Sequence, residues 1–96
     1  MATARETVER HAKAAVEGKM DVVAGDVIPE LMPSLGPLAE QLAKIQPTGY
    51  EILSETKVGD IVVFEVKYIG KKGILSIRSK WSLIGKAWKV VEAAPI

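Results

Sequence analysis

The sequence predicts an α+β fold in which N-terminal helices pack on a curved four-stranded antiparallel sheet. Two observations indicate the sheet. Runs rich in β-branched and aromatic residues occupy positions 61–69, 74–84 and 87–93, and glycine-bearing turns separate them. A third observation indicates the helices, because apolar side chains recur at helical spacing in the N-terminal half. A chain of 96 residues is expected to form one domain spanning 1–96.

Composition excludes several kinds of site. The chain has no cysteine and one histidine, so disulfides, thiolate metal sites and cysteine nucleophiles are ruled out, and no metal or other cofactor is expected. The formal net charge of +1 gives no general attraction to nucleic acid or to membranes. Because no apolar run approaches the roughly 18 residues of a spanning helix and no apolar signal region precedes the domain, we expect a cytoplasmic protein.

The first helix has a defined start and end in the sequence. Thr3 followed by Glu6 fits a capping box, in which the hydroxyl and the carboxylate each satisfy a free backbone N–H group. Gly18 is a typical helix C-terminal residue. Between them, one apolar stripe at helical spacing comprises Ala4, Val8, His11, Ala12, Ala15 and Val16.

Shorter elements follow before the sheet. Asp21 is expected to cap a short second helix that Gly25 ends. Three prolines in the segment 26–37 predict irregular or broken structure there, because each removes an amide donor and disfavours helix in the preceding residue. A third helix is expected to begin at Ser34 or Gly36 and to end before the next proline.

The first strand is predicted at positions 50–57, and its register has two solutions. A two-residue loop before the second strand would place Leu53 and two glutamates on the packed face of the sheet. A three-residue loop would place Tyr50 and Ile52 there instead, and burial favours this second solution.

The turn at 70–73 fixes the pairing of the second and third strands. When Ile69 is opposite Ile74, Glu65 faces Arg78, so opposite charges meet on one face of the sheet. Apolar side chains meet on the other face. A shift of one residue would destroy both matches, and the agreement therefore supports this register.

The turn at 85–86 suits a type II′ hairpin and sets the last strand against the third. It places Val90 opposite Trp81, and it places Glu92 opposite Ser79 on the packed face. The other apolar members of that face are Val62, Phe64, Val66, Tyr68, Leu75, Ile77, Leu83 and Trp88.

The outer face of the predicted sheet carries more apolar surface than a solvated face requires. Its apolar residues are Ile61, Val63, Ile69, Ile74, Ile84 and Val91. We therefore expect a homodimer formed through the outer face.

The order of these elements, together with two segments, resembles the nuclear transport factor 2-like (cystatin-like fold) superfamily. The segments are residues 8–21, which contain the first helix, a glycine and an aspartate before the second helix, and residues 81–92, which form the last hairpin. The resemblance implies a cone-shaped, cystatin-like sheet around an apolar pocket. Members usually carry a further hairpin where the short, proline-broken segment 25–47 lies, so the chain would be a shortened member.

The resemblance leaves several functions open. The favoured one is an apolar cone-shaped pocket that binds a small apolar ligand, with a ligand-binding wall of His11, Phe64, Trp81, Trp88 and Ser79. A dimeric interaction module, its cone filled by its own side chains, is a further possibility.

The alternative is a small enzyme of isomerase or dehydratase type. By resemblance, His11 would donate a hydrogen bond to a developing oxyanion, and a carboxylate in the pocket would act as the base. Glu92 is a candidate for this carboxylate because its register places it on the packed face. Asp26 and Glu30 are further candidates because they lie near the segment that supplies the base in the isomerases.

Overall fold

The computed structural model describes residues 2–96 and confirms the α+β fold. Three α-helices and one 3₁₀ helix precede the sheet: α1 (Ala4–Val16), α2 (Met20–Gly25), the 3₁₀ helix (Pro29–Ser34) and α3 (Gly36–Ile45). The strands are β1 (Pro47–Val58), β2 (Ile61–Gly70), β3 (Gly73–Ile84) and β4 (Ala87–Pro95), paired antiparallel in the order β1-β2-β3-β4. None of the helices in residues 2–96 is long and apolar enough to cross a membrane.

The first helix forms as its sequence predicts. Thr3 and Glu6 make the reciprocal hydrogen bonds of a capping box. The apolar stripe packs on the sheet, with Val8 and Ala12 almost completely enclosed. Helix α2 begins differently, because Lys19 is its N-cap residue and no side chain caps it. The prediction that Asp21 caps α2 is therefore wrong, and Asp21 lies inside the first turn instead.

The proline-rich segment is more regular than expected. It contains a 3₁₀ helix that begins at Pro29, where a missing amide donor costs nothing. Helix α3 then starts at Gly36, one of the two predicted starts, and ends at Ile45. Gln46 follows in the left-handed conformation with φ of 51°, and it turns the chain directly into β1. Because the helix-to-strand turn is so tight, β1 begins at Pro47 and is longer than predicted.

The predicted register of β2 against β3 is confirmed. Ile69 pairs with Ile74, and Glu65 pairs with Arg78 on the face away from the helices. The Arg78 guanidinium donates to Glu65 Oε2 at 2.8 Å. Because this ion pair is exposed to solvent, its contribution to stability is only about 0.2–1 kcal/mol.

A bulge in β1 reconciles the two registers that the sequence left open. The loop between β1 and β2 has two residues, since Val58 pairs with Ile61. The register then shifts at Leu53. Beyond this point the alternation is reversed, so that Tyr50 and Ile52 pack towards the helices.

The register of β4 holds only as far as a second bulge. Val90 pairs with Trp81 as predicted, but a register shift follows, and Glu92 pairs with Lys80 rather than with Ser79. Glu92 is exposed, and its Oε2 lies 3.4 Å from Lys80 Nζ in an ion pair. The placement of Glu92 on the packed face is therefore wrong. One extra residue in β4 moved its side chain to the outer face.

Candidate functional site

The imidazole of His11 lies where helix α1 crosses the sheet. The apolar stripe of α1 turns His11 inwards, and its side chain is only 15% exposed. Its ring meets the indole of Trp81 edge to face, with ring centroids 5.1 Å apart. The capped start of α1 and the buried tryptophan together fix where the histidine is held.

Asp26 is brought beside His11 by a link between the chain after α2 and the last strand. The backbone N–H of Val90 donates to the carbonyl oxygen of Asp26 at 2.7 Å, and the N–H of Ile28 donates to the carbonyl oxygen of Val90 at 3.2 Å. Val27 and Val90 thereby form a short parallel bridge. This link holds Asp26 at the edge of β4 with the residue only 6% exposed.

The Asp26 carboxylate is fully engaged by two side chains of α1. His11 Nδ1 lies 2.9 Å from Oδ2, and Arg10 donates to Oδ1 at 2.7 Å. Burial alone would raise the pKa of Asp26, but the hydrogen bonds from His11 and Arg10 outweigh burial, so that the pKa lies below its ordinary value. Asp26 is therefore ionised at neutral pH.

The ionised carboxylate determines how the neutral imidazole carries its proton. An ionised carboxylate oxygen only accepts hydrogen bonds. Nδ1 of His11 therefore carries the proton, and its N–H donates a hydrogen bond to Asp26. In the neutral ring Nε2 is then a hydrogen-bond acceptor. The oxyanion donor expected from resemblance would need a proton on Nε2, which the neutral ring with its proton on Nδ1 lacks.

A cavity of about 100 Å³ lies between the helices and the inner face of the sheet. Its wall consists mainly of aliphatic side chains from α1, α3 and strands β2 to β4. Two lining residues are exposed, Met20 of α2 and Ala39 of α3, so the cavity reaches solvent on the side of these helices. No lysine, arginine, aspartate or glutamate in residues 2–96 contributes to the wall.

Besides Trp81, three residues of this apolar wall have side chains that can form hydrogen bonds. They are His11, Ser79 and Tyr68. Ser79 Oγ accepts a hydrogen bond from Trp81 Nε1 at 2.9 Å, which leaves the hydroxyl hydrogen of Ser79 available. Burial, with a smaller effect of Tyr50, raises the pKa of Tyr68, so its hydroxyl stays protonated. Neither hydroxyl donates to another group within residues 2–96.

The structure brings together some of the predicted site residues and separates others. His11, Trp81 and Ser79 line the cavity as predicted. Phe64 and Trp88 do not line it, because Phe64 is fully buried in the core and Trp88 packs against the core away from the cavity wall. Asp26 meets His11 but does not itself line the cavity.

The other two carboxylate candidates lie away from the cavity wall. Glu92 is on the outer face, and Glu30 is exposed on the 3₁₀ helix. Asp26 is therefore the candidate carboxylate that contacts a cavity residue, and it does so only through His11.

Sequence reasoning missed two residues of this site. The sequence predicts Tyr68 on the packed face, and its hydroxyl in an otherwise apolar row is the signal that indicates a polar group in the cavity. Arg10 carries no such signal, because its contact with Asp26 spans 16 positions and depends on the link to β4.

Comparisons with known proteins add no further information on the site. No protein-family model matches the chain, and no curated protein is significantly similar to it in sequence. Within residues 2–96 there is also no cluster of three or more histidine or carboxylate side chains suited to holding a metal ion.

Proposed function

We propose that this domain binds a small, mainly apolar molecule in the cavity between its helices and its sheet. The observation that carries the proposal is the cavity itself, which is about 100 Å³ in volume, mostly aliphatic and open beside α2 and α3. Because a closed apolar cavity of about 150 Å³ holds benzene, a half-open cavity of this size suits a molecule of about one ring.

The order of elements also supports membership of the nuclear transport factor 2-like superfamily as a shortened form. The helices precede a four-stranded antiparallel meander and cover one face of it. The 3₁₀ helix and α3 occupy the place where a further hairpin is usual. A cytoplasmic location remains a prediction from the sequence.

Blocking the mouth of the cavity tests ligand binding. Ala39→Phe places an aromatic ring at an exposed lining position of α3, and we expect it to weaken binding of toluene by about tenfold or more. Ala43→Phe is the matched control, because Ala43 is exposed one helical turn further along α3 and does not line the cavity. Isothermal titration calorimetry measures both. Equal toluene affinity in the two variants would contradict the proposal.

A second candidate function is proton transfer by His11. The observation in its favour is the hydrogen bond from His11 Nδ1 to ionised Asp26, which orients the ring and leaves Nε2 as a base. Asp26 would position the imidazole rather than touch the substrate, since both its oxygens are engaged. Tyr68 and Ser79 supply hydroxyl donors for a developing oxyanion. This arrangement suits an isomerase or dehydratase.

His11→Phe separates the two candidate functions. The probe is exchange of the α-hydrogens of cyclohexanone for deuterium, followed by NMR in heavy water, because the exchange requires only a base that removes a proton from carbon. If His11 is that base, the variant should lose about a hundredfold or more of the catalysed rate. A ligand-binding domain should show no exchange above the buffer rate, before or after the substitution. Circular dichroism of the variant checks that the fold is retained.

We also propose that two copies pair through the outer face of the sheet. Apolar side chains remain uncovered there, with Ile74 61% exposed and Ile69 and Ile84 also exposed. Four strands of this length offer roughly 600 Å², which approaches the roughly 800 Å² per partner of a stable interface. The central Glu65–Arg78 ion pair supplies both signs of charge, so a two-fold arrangement can match charges between copies.

Light scattering after gel filtration tests the dimer. At about 10 µM, within the range in which a micromolar complex forms, the expected mass is twice 10.4 kDa. Ile74→Lys should reduce it to the monomer mass, because a lysine in the interface would be desolvated without a partner. Met32→Lys is the control, since Met32 is exposed on the 3₁₀ helix, away from the outer face. A wild-type protein of monomer mass would rule out the dimer.

A further inference from the structure

The polar atoms of the cavity wall have complementary hydrogen-bonding roles. His11 Nε2 accepts in the neutral ring, because Nδ1 donates to Asp26. The hydroxyls of Ser79 and Tyr68 donate, and both residues are strongly buried, at 9% and 4% exposed. A wall that offers both acceptor and donor groups in an apolar enclosure is suited to a group that both donates and accepts, which is the behaviour of a hydroxyl.

The positions of these groups relative to Trp81 bring two of them to one part of the wall. The His11 ring stands edge to face with the indole at 5.1 Å, and Trp81 Nε1 donates to Ser79 Oγ at 2.9 Å. His11 and Ser79 therefore flank the same indole. A ligand oxygen beside Trp81 can therefore meet one residue with an acceptor nitrogen and one with a donor hydroxyl, and Tyr68 is a further lining residue with a hydroxyl donor.

The cavity wall also disfavours charged ligands. It includes no lysine, arginine, aspartate or glutamate from residues 2–96, and the nearby Asp26 carboxylate has both oxygens engaged by Arg10 and His11. A carboxylate or ammonium group entering the cavity would lose its hydration without gaining a counter-ion, and this cost excludes charged ligands.

We infer that the cavity binds an uncharged, single-ring molecule bearing one hydroxyl group, such as a phenol or a cyclic alcohol. The hydroxyl donates to His11 Nε2 and accepts from Ser79 or Tyr68, while the ring packs against the aliphatic wall. This inference rests on the proposed ligand-binding function and names the class of ligand.

Three rings of similar size test the inference. Phenol carries the hydroxyl, toluene has a methyl group in its place, and benzoate has an ionised carboxylate in its place. Binding is followed by NMR through the indole N–H signal of Trp81 in a Trp88→Phe background, which leaves Trp81 as the single tryptophan. We expect phenol to bind about threefold to tenfold more tightly than toluene, as one net hydrogen bond allows, and benzoate not to bind.

Two variants that each remove one oxygen complete the test. Tyr68→Phe and Ser79→Ala should each reduce the ratio of phenol affinity to toluene affinity. Ser79→Ala leaves Trp81 Nε1 without its acceptor and can therefore fail to fold. In that case Tyr68→Phe alone tests the inference. Equal binding of phenol and toluene would overturn the inference but leave the apolar cavity as a binding site. Binding of neither ring would overturn the proposed function together with the inference.

Discussion

Replacing Gly70 with alanine should lower the free energy of unfolding by about 2–3 kcal/mol, a large effect for one methyl group. Gly70 ends β2 directly beneath the last turn of α3. A β-carbon at this position would overlap the backbone carbonyl oxygen of Ile45. That oxygen already accepts a hydrogen bond from the Lys72 N–H at 3.0 Å, and the carbonyl oxygen of Gln46 accepts one from the Lys71 N–H at 3.2 Å. The end of α3 and the end of β2 must therefore move apart.

The same substitution should affect the cavity. Helix α3 contributes Leu38, Ala39 and Leu42 to the cavity wall, so a displaced helix end would loosen that side. We expect Gly70→Ala to weaken toluene binding as well as stability.

Gly49→Ala is the matched control for Gly70→Ala. Gly49 also lies in a strand, and a β-carbon there would meet no atom within 4 Å. It should change the free energy of unfolding by less than about 1 kcal/mol. Urea denaturation measures both variants. Two variants of equal stability would show that α3 does not press on β2 as described.

Replacing Asp26 with asparagine should lower the free energy of unfolding at neutral pH by about 2–3 kcal/mol, because charge-assisted hydrogen bonds from Arg10 and His11 are lost or weakened. This loss should depend on pH. The pKa of Asp26 is lower in the folded protein than its ordinary value of 3.8. The carboxylate therefore stabilises the fold fully above the unfolded-state pKa, and the stabilisation is lost as the pH falls through the lower folded-state pKa.

The difference in unfolding free energy between wild type and Asp26→Asn isolates this effect from the other carboxylates. It should shrink on acidification below about pH 4. Asp21→Asn is the control, because Asp21 is an exposed carboxylate on the adjacent helix. It should remain within about 0.5 kcal/mol of wild type at neutral pH. Urea denaturation across the acid pH range provides the values, and a difference that grew below about pH 4 would contradict the hydrogen-bonded, ionised Asp26.

Local sequence determined much of this fold. The capping box of Thr3 and Glu6 fixed where α1 begins, and the stripe that follows fixed which side of the helix is buried. The turn at 70–73 fixed the pairing of β2 with β3, because only one register matches Glu65 with Arg78 and apolar groups with each other. These features depend on residues close in the chain, so hydrophobic periodicity and turn chemistry are sufficient to predict them.

The bulges were decided by tertiary structure. In β4, Val90 and Val91 are both apolar, so alternation does not show which of them faces the helices, and one extra residue moved Glu92 from the predicted inner face to the outer one. In β1, the shift at Leu53 allowed a two-residue loop and a partly buried Tyr50 together. A bulge is set by how a twisted strand fits its neighbours, which the pattern of one strand does not record.

The candidate site was also decided by tertiary structure. His11 was recognised from its place on the stripe of α1, but its partner Asp26 lies 15 positions away. The two meet because the chain after α2 is bound to the edge of β4 through Val27 and Val90. The sequence alone determined that a histidine faces the interior. Only the packing of α1 against that bridge brings an ionised carboxylate to the imidazole of His11. The reason is that hydrogen bonds between residues distant in sequence depend on the tertiary structure.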